Sequence, residues 1–593
     1  MSRAAKGLAR WTPTVLTAAL AAGLGLGGCA PQTGSGARVA TEPGTAGNDA
    51  GSSGATQGVA IALGFAATSD VIVEGLLAAS PAWARIAGLH AYDGKVARYD
   101  RASIAAYLER LATWSAALDA FGGASDPTTL SKVDALDRAI LKSRIALERH
   151  NLADRELPFT DPRYYEELFD VGSYVKFDYA PLAERARALV THEEASLREV
   201  GAVTENLRPV LSRPVLETAI SSYRGFAEYL RGDVVKLVGG VGDAAFQARF
   251  ATTNAALADA AATLASRLER EWLPRANDTA HVLGREKFLR FVAAQEGREI
   301  ALAEFEAMAD ADLARNKAAY EALLPSVKVS RPAAGELLRE ATRLMEASRA
   351  FVLDKKLVTI PSEDRAVLEE SPPYMRWNAA FLSMPGPFDT VRTGYYYITL
   401  PDPSWPKAEQ EAYIFPFGTL LATTVHEVYP GHFLHGLFMR RAPTRIQKLG
   451  DSYSFTEGWA HYTEQLMIEQ GFGAEDPQSR LGQLSDALLR NCRFVVSIGV
   501  HAKGMSLEEA ERRFMQDCFQ DRASARQQAV RATFDPGYFA YTLGKLQILE
   551  LRSEAQRRLG DRFELRAFHD ALLGFGAPPV ALIRELVLER LAP

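Results

Sequence analysis

Hydrophobic positions recur at helical spacing through most of the chain from about residue 64 onward. In residues 300–324 one broad face is apolar, the remaining positions are largely charged, and Pro325 closes the segment. The apolar face comprises Leu302, Phe305, Ala309, Leu313, Tyr320 and Leu323. A period of about 3.6 residues is typical of amphipathic helices packed on a core. The sequence therefore predicts a mainly α-helical protein.

One segment departs from the helical pattern. Residues 395–400 (Tyr-Tyr-Tyr-Ile-Thr-Leu) are aromatic and β-branched, follow Gly394 and end at Pro401. Residues of these types favour strands. We expect a small β-element here, just before a helix that begins at Gly418.

The composition is that of an ordinary globular protein. Of 593 residues, 47% are hydrophobic and 24% are charged, and the formal net charge is −6. This balance provides neither the positive field that nucleic acids require nor a polybasic patch for a membrane surface. We expect no nucleic-acid partner.

The first thirty residues are typical of an export signal. A positively charged start precedes the small and apolar run 14–25, which is shorter than the ~20 apolar residues of a spanning helix. Residues 26–29 (Leu-Gly-Gly-Cys) resemble a bacterial lipobox, which predicts cleavage after residue 28 and an acyl anchor on Cys29. An ordinary signal peptide with an incidental cysteine is the alternative. Because Ala30 follows the cysteine, we favour the outer membrane over the inner membrane.

The predicted organisation has three parts. Residues 1–28 form the signal peptide, and 29–60 form the lipidated cysteine with a flexible Gly/Ser/Thr/Pro-rich linker. Residues 61–593 form the helical body, with an N-terminal lobe to about 370 and a second lobe from about 371. Cys492 and Cys518 either pair or remain as two buried thiols, and both alternatives stay open.

The strongest chemical signal lies in residues 423–432 (Thr-Thr-Val-His-Glu-Val-Tyr-Pro-Gly-His). A His followed by Glu, with another His close behind, is typical of zinc-hydrolase helices. The second His usually stands at i+4, but here Pro430 stands at i+4 and His432 at i+6. On a straight helix the side chains of His426 and His432 would point about 240° apart. Pro430 and Gly431 predict a helix break that could bring the two imidazoles together.

A neighbouring helix is expected to supply the third ligand. Residues 456–465 place Glu457, His461 and Glu464 at i, i+4 and i+7, on one helical face. One of these side chains can bind the metal while another orients a metal-bound imidazole. Histidine and carboxylate ligands, with a water as fourth ligand, suit one catalytic zinc ion per chain.

Together these motifs resemble the bacterial family labelled domain of unknown function 885. The resemblance rests on H-E-x-x-P-G-H followed by E-G-W-A-x-Y-x-E-Q-L. Weaker matches extend it over most of the mature chain, at residues 284–286, 373–376, 394–396, 499–504, 536–537 and 541–545. Members are often lipoproteins, and they are similar to the gluzincin peptidases around thimet oligopeptidase and carboxypeptidase Taq.

The resemblance implies a two-lobed helical body of the zincin-like (gluzincin) type, with a deep channel and zinc at its floor. The implied zinc ligands are His426, His432 and Glu457. Glu427 is implied as the general base, since it stands beside a ligand and can reach the water.

The resemblance also implies an oxyanion donor, either Tyr541 or His501, and places Glu464 and His461 behind the ligands. The chain departs from the family pattern at two histidines. His435 stands where Gln is usual, and His461 stands where an apolar residue is usual. Either could replace His432 as a ligand, and that alternative stays open.

The expected function is zinc-dependent hydrolysis of oligopeptides in the cell envelope. Zinc lowers the pKa of its water from 15.7 to roughly 7, and Glu427 would carry the proton to the leaving amine. The edge of the strand at Tyr395, Tyr396 and Tyr397 would pair with an extended substrate, although the same tyrosines fit plain packing.

Two other functions share this site. One is a non-catalytic metal- or peptide-binding lipoprotein, although a binding protein has no need of Glu427 beside a ligand. The other is hydrolysis of a non-peptide amide. The sequence leaves oligomeric state and the choice between internal and terminal cleavage undecided.

Overall fold

A computed structural model describes residues 52–122, 130–372, 375–376 and 379–592, and for residues 52–63 it describes the backbone alone. The expected signal peptide and Cys29 lie outside these residues, as do Pro373 and Tyr374 of the 373–376 motif. Among the described residues, no helix combines the length and the apolar character needed to span a bilayer.

Twelve α-helices precede the sheet in the described part of the chain. They are α1 (Ser52–Ala79), α2 (Pro81–Ile86), α3 (Arg101–Asp119), α4 (Lys132–Arg149), α5 (Leu157–Thr160), α6 (Leu182–Asn206), α7 (Arg213–Tyr229), α8 (Val235–Val238), α9 (Ala244–Arg267), α10 (Arg285–Glu296), α11 (Leu302–Leu323) and α12 (Leu337–Asp354). Residues 300–324, where the sequence predicts an amphipathic helix, contain α11.

Three strands follow, and then eleven further helices. The strands are β1 (Ala366–Glu370), β2 (Ala380–Ser383) and β3 (Gly394–Ile398). The helices are α13 (Lys407–Tyr413), α14 (Phe417–Glu427), α15 (His432–Met439), α16 (Arg445–Leu449), α17 (Tyr453–Glu469), α18 (Pro477–Lys503), α19 (Leu507–Asp517), α20 (Arg522–Phe534), α21 (Ala540–Leu559), α22 (Leu565–Leu573) and α23 (Val580–Leu591). The prediction of a mainly helical protein with a small β-element is confirmed.

The start of α1 corrects one predicted boundary. The flexible linker was expected to reach residue 60, whereas the helical backbone begins at Ser52. Gly64, with φ of 75° and ψ of 163°, interrupts α1, so the part before Gly64 is a separate helical segment within the predicted linker and its boundary.

The sheet corrects a second prediction. Its strand order is β1-β3-β2, so β3 is the central strand and has no free edge. Val367 of β1 lies opposite Tyr395 in parallel register, and Phe381 of β2 lies opposite Tyr397 in antiparallel register. The expectation that Tyr395, Tyr396 and Tyr397 offer an edge to substrate is therefore wrong. The sequence pattern missed β1 (Ala-Val-Leu-Glu-Glu) and β2 (Ala-Phe-Leu-Ser) because each contains only one aromatic or β-branched residue, whereas β3 contains four.

Two helix crossings are lined by glycine and set the positions of the central helices. A Cβ on Gly418 of α14 would lie 1.8 Å from the carbonyl oxygen of Gln478 in α18, and one on Gly482 would lie 2.1 Å from Gly418. In the same way, a Cβ on Gly458 of α17 would lie 2.4 Å from the Cα of Gly544 in α21. Both crossings bring backbone against backbone, which no larger residue permits.

Cys492 and Cys518 form a disulfide. It joins the middle of α18 to the end of α19, and both cysteines are buried in an apolar cluster. Disulfides persist mainly in oxidising compartments, so this bond fits a protein that leaves the cytoplasm.

Candidate metal centre

The helix break between α14 and α15 brings two histidines together. α14 ends at Glu427 and α15 begins at His432. Between the two helices, the amide of Gly431 donates to the carbonyl of Val425 at 3.1 Å. A Cβ on Gly431 would lie 1.8 Å from the carbonyl oxygen of His426, so glycine alone fits. As a result, the ring centroids of His426 and His432 are 4.7 Å apart.

The carboxylate of Glu457 in α17 completes a cluster of three donors. Its Oε2 lies 3.4 Å from His426 Nε2 and 3.5 Å from His432 Nε2, and the three donor atoms all lie within 4.8 Å of one another. Two ligands bonded at about 2.0–2.1 Å to one tetrahedral zinc are about 3.3 Å apart. The buried Glu457 Oε2 has no hydrogen-bond partner among the described residues. The donor set and its spacing therefore fit a zinc ion.

The charges of this cluster influence one another. Burial would raise the pKa of Glu457, but His432 and His426 together hold that pKa well below its usual range. Burial would lower the pKa of His426, yet Glu457 and Glu464 outweigh it and raise the pKa to about 9. In the metal-free chain this pKa keeps a proton on His426 at neutral pH, and a metal ion bound beside the ionised Glu457 would displace it.

Glu464, about two turns along α17 from Glu457, fixes the orientation of His426. Its Oε1 lies 2.7 Å from His426 Nδ1, and its Oε2 lies 3.2 Å from His461 Nδ1. Burial would raise the pKa of Glu464, but Arg490 and His461 lower it well below the usual range. An ionised Glu464 accepts a hydrogen bond from Nδ1–H of His426, and this turns Nε2 toward Glu457.

Arg490 in α18 is a part of the site that sequence reasoning missed. Its Nη2 lies 3.1 Å from Glu464 Oε1. The position follows from the glycine crossing of α14 and α18: His426 lies eight residues after Gly418, and Arg490 lies eight residues after Gly482. The equal spacing of eight residues can be read from the sequence. It indicates that His426 and Arg490 are neighbours only once α14 and α18 are known to cross at Gly418 and Gly482.

Glu427 projects into a cavity of about 1690 Å³, which His426, His432 and Glu457 also line. Its Oε2 accepts a hydrogen bond of 3.0 Å from the backbone amide of Leu382 in β2. All four residues of β2 line the same cavity. The sequence did not predict this contact, because every residue except proline has a backbone amide and the residue type therefore cannot identify the donor.

Tyr541 at the start of α21 also lines the cavity and is 7% exposed. Because Gly458 of α17 packs against Gly544 of α21, Tyr541 lies on the same side of the cavity as Glu457. Burial raises the pKa of the Tyr541 phenol, and the charge of Glu457 raises it further. The phenol therefore keeps its proton at neutral pH and can donate a hydrogen bond.

The sequence matches the family profile described as bacterial protein of unknown function (DUF885) over residues 81–587. This match covers most of the chain. The chain belongs to the DUF885 family. No curated protein matches this DUF885 chain.

Two solved structures are similar to this DUF885 protein. A predicted lipoprotein of unknown function from Shewanella oneidensis has 24% sequence identity and a TM-score of 0.73, with 88% of this chain and 100% of that chain covered. A predicted lipoprotein from Colwellia psychrerythraea has 19% identity and a TM-score of 0.70, with 91% and 99% covered. At these identities the likeness shows the fold.

The structure does not bring every predicted site residue to the metal centre of the DUF885 chain. His501 is not among the side chains that line the cavity: its Nε2 lies 2.7 Å from the carbonyl oxygen of Ala532, and its ring lies 6.0 Å from that of Phe288. Tyr395, Tyr396 and Tyr397 do not line the cavity either.

Neither of the alternative ligands joins the donor cluster. His435 lines the cavity, but its Nε2 lies 3.3 Å from the carbonyl oxygen of Gly576. His461 lies behind the cluster, against Glu464, and burial lowers its pKa to about 3. The cluster of the described residues thus contains His432 as its second imidazole.

Proposed function

We propose that the protein is a zinc-dependent peptidase that hydrolyses oligopeptides in the cell envelope. The observation that supports this most is the cluster of His426, His432 and Glu457 at a cavity wall, with Glu427 beside it. Two imidazoles and one carboxylate form a ligand set found in catalytic zinc sites that leave a fourth position open. A gluzincin-like relationship is part of this proposal.

Each remaining residue has a role that its position supports. Zinc, when bound, supplies Lewis-acid activation of water and of the substrate carbonyl. Glu427, held by the Leu382 amide, takes a proton from the water and delivers it to the leaving amine. Tyr541 keeps its proton and donates to the oxygen that becomes negative. Glu464 keeps His426 oriented.

The cavity favours a peptide over a small amide. At about 1690 Å³ it exceeds the roughly 300–1,000 Å³ of most small-molecule sites. β2 is an edge strand on the cavity wall, and its Leu382 touches Glu427. An extended peptide that pairs with this edge would pass directly by the general base.

We place the protein on the periplasmic or external side of the envelope, anchored through Cys29 to the outer membrane. The lipobox-like sequence at residues 26–29 and the disulfide both favour export. The two similar structures are of predicted lipoproteins, which fits the same location.

The test compares the full chain with His426→Ala, His432→Ala and Glu427→Gln. We expect about one zinc per chain in the parent and in Glu427→Gln, and loss of zinc in both histidine variants. A peptide library should be cleaved by the parent alone.

Other outcomes would change the proposal. A parent that binds zinc but cleaves no peptide would indicate a non-catalytic binding lipoprotein. Zinc retained by folded His432→Ala would move the second ligand to His435 or His461. A parent that takes up no zinc, even when zinc is supplied, would remove the metal from the proposal.

A further inference from the structure

Three arginines line the cavity near Tyr541, and they differ in their partners. Arg490 pairs with Glu464 at 3.1 Å, and Arg531 pairs with Asp535 at 3.2 Å. Arg493 has no carboxylate within 4.0 Å among the described residues, and its Nε donates to the side-chain oxygen of Gln528 at 3.0 Å. Its charge is therefore the unpaired one of the three.

Aromatic rings hold Arg493 without neutralising it. Its guanidinium carbon lies 4.9 Å from the ring centroid of Tyr541 and 4.8 Å from that of Tyr538. Contacts of this kind attract a cation to the ring face but leave its N–H groups able to bind an anion. With Nε held by Gln528, the two terminal nitrogens remain for a ligand.

A half-buried guanidinium without a carboxylate partner is well suited to bind the carboxylate of a ligand. Its planar fork binds a carboxylate through two parallel hydrogen bonds, and a cation shielded from water is stabilised when an anion joins it. An oligopeptide always carries one carboxylate, at its C-terminus. Asp and Glu side chains are the other peptide source of that group.

We propose that Arg493 binds the C-terminal carboxylate of the substrate, so that the enzyme cleaves peptides close to their C-terminus. This inference rests on the proposed peptidase function and adds a substrate class to it. The ring centroid of Tyr541 lies 4.9 Å from the guanidinium carbon of Arg493 and 5.6 Å from that of Arg490, and Nη2 of Arg490 lies 3.2 Å from His426 Nδ1. Arg493 is thus two side chains away from a proposed metal ligand. A residue of extended chain spans about 3.3–3.6 Å, so a C-terminal portion of only a few residues covers this distance.

The test measures binding rather than turnover. Zinc-loaded full chain carrying Glu427→Gln is titrated calorimetrically with two N-acetylated pentapeptides without Asp or Glu, one a free acid and one a C-terminal amide. We expect the acid to bind at least tenfold more tightly. Adding Arg493→Gln should remove this preference, and adding Arg493→Lys should retain part of it.

Arg376→Gln is the matched control. Arg376 lines the same cavity but pairs with Glu370 at 2.7 Å, so removing its charge should leave the acid-to-amide preference unchanged. All variants should keep the zinc content and the melting temperature of the parent, which excludes misfolding as a cause. Loss of the preference in Arg376→Gln instead would overturn the assignment.

Two further outcomes separate this inference from the proposed function. Equal binding of acid and amide, in a parent that cleaves both, would overturn the role of Arg493 and leave the peptidase proposal standing. An Arg493-dependent preference for the free acid in a chain that cleaves no peptide would support the role of Arg493 and overturn the peptidase proposal. A third peptide, an amide with one internal Asp, tests the source of the carboxylate. Arg493-dependent binding of that peptide as tightly as the free acid would overturn C-terminal recognition.

Discussion

His426 and His501 are both buried motif histidines, yet the structure surrounds them with opposite kinds of neighbours. His426 lies between the carboxylates of Glu457 and Glu464, and these raise its pKa to about 9 despite burial. His501 packs against the rings of Phe288 and His281 with its Nε2 at the carbonyl of Ala532, and burial lowers its pKa to about 3.

The difference shows what distinguishes a reactive histidine from a structural one. Burial is shared by both and decides nothing. What differs is the neighbouring charge: the carboxylates of Glu457 and Glu464 face the imidazole of His426, whereas Nε2 of His501 faces a neutral backbone carbonyl. A ligand site is indicated where a buried carboxylate and two imidazoles bring their donor atoms together.

The largest expected effect comes from substituting a glycine near His426, and substitution of a glycine near His501 is its comparison. Gly431→Ala should abolish zinc binding and lower the melting temperature strongly, because its Cβ would lie 1.8 Å from the His426 carbonyl oxygen. The added Cβ of Gly504→Ala, at the end of the 499–504 motif that contains His501, meets no atom within 4 Å, so the variant should cost only about 1 kcal/mol for its positive φ. Zinc content and thermal unfolding of the two variants give the answer. Full zinc in Gly431→Ala would contradict the role given to the break.

The next effect separates the two candidate oxyanion donors. Tyr541→Phe should lower kcat about 10²–10³-fold with zinc content unchanged, because one donor to the developing anion is lost. His501→Gln should leave kcat within about threefold, since His501 lies outside the cavity lining. Steady-state kinetics on any peptide that the parent cleaves will decide. Undiminished turnover in Tyr541→Phe would remove the phenol from the site.

A smaller effect concerns the residue behind the ligand. Glu464→Gln removes the charge that holds His426 Nδ1, and should weaken zinc affinity about 10–100-fold. Competition with a chromophoric chelator measures this change, with Glu469→Gln, on the same helix but half-exposed, as the matched control. Identical affinities in the two variants would show that Glu464 does not orient the ligand.

The smallest effect is a pH dependence. His501 is neutral when folded, with a pKa of about 3, and titrates near 6.5 when unfolded, so the unfolded state binds more protons between these values. Its contribution to stability is therefore complete above about pH 6.5 and is lost as the pH falls toward 3. The melting temperature of the parent should exceed that of His501→Gln at pH 7, and the gap should narrow at pH 4. A gap that widens on acidification would contradict a neutral buried imidazole.

Features written in local sequence could be predicted. The helical period gave α11, the aromatic run gave β3, and the Pro430–Gly431 pair indicated the break between α14 and α15. The prediction of Glu457 as the third donor also depended on spacing within one helix. In the described structure it stands with both histidines in one cluster.

Features created by contacts between distant segments could not be predicted. Arg490 reaches Glu464 because α14, α17 and α18 meet, and the Leu382 amide reaches Glu427 because β2 lies at the sheet edge. His501 carried the residue type of a catalytic group, but the packing of α18 turned it toward Ala532. Residue type and spacing along the chain do not contain this information.

The glycine crossings bear on how this protein can be altered. Because α14 meets α18, and α17 meets α21, through bare backbone, no side-chain repacking can adjust these distances. Variation that is tolerated should therefore accumulate on the cavity walls and avoid Gly418, Gly458, Gly482 and Gly544. A library built to change substrate preference should keep these four positions fixed and randomise β2 and the surroundings of Arg493, where new sequences can be accepted without displacing the ligands.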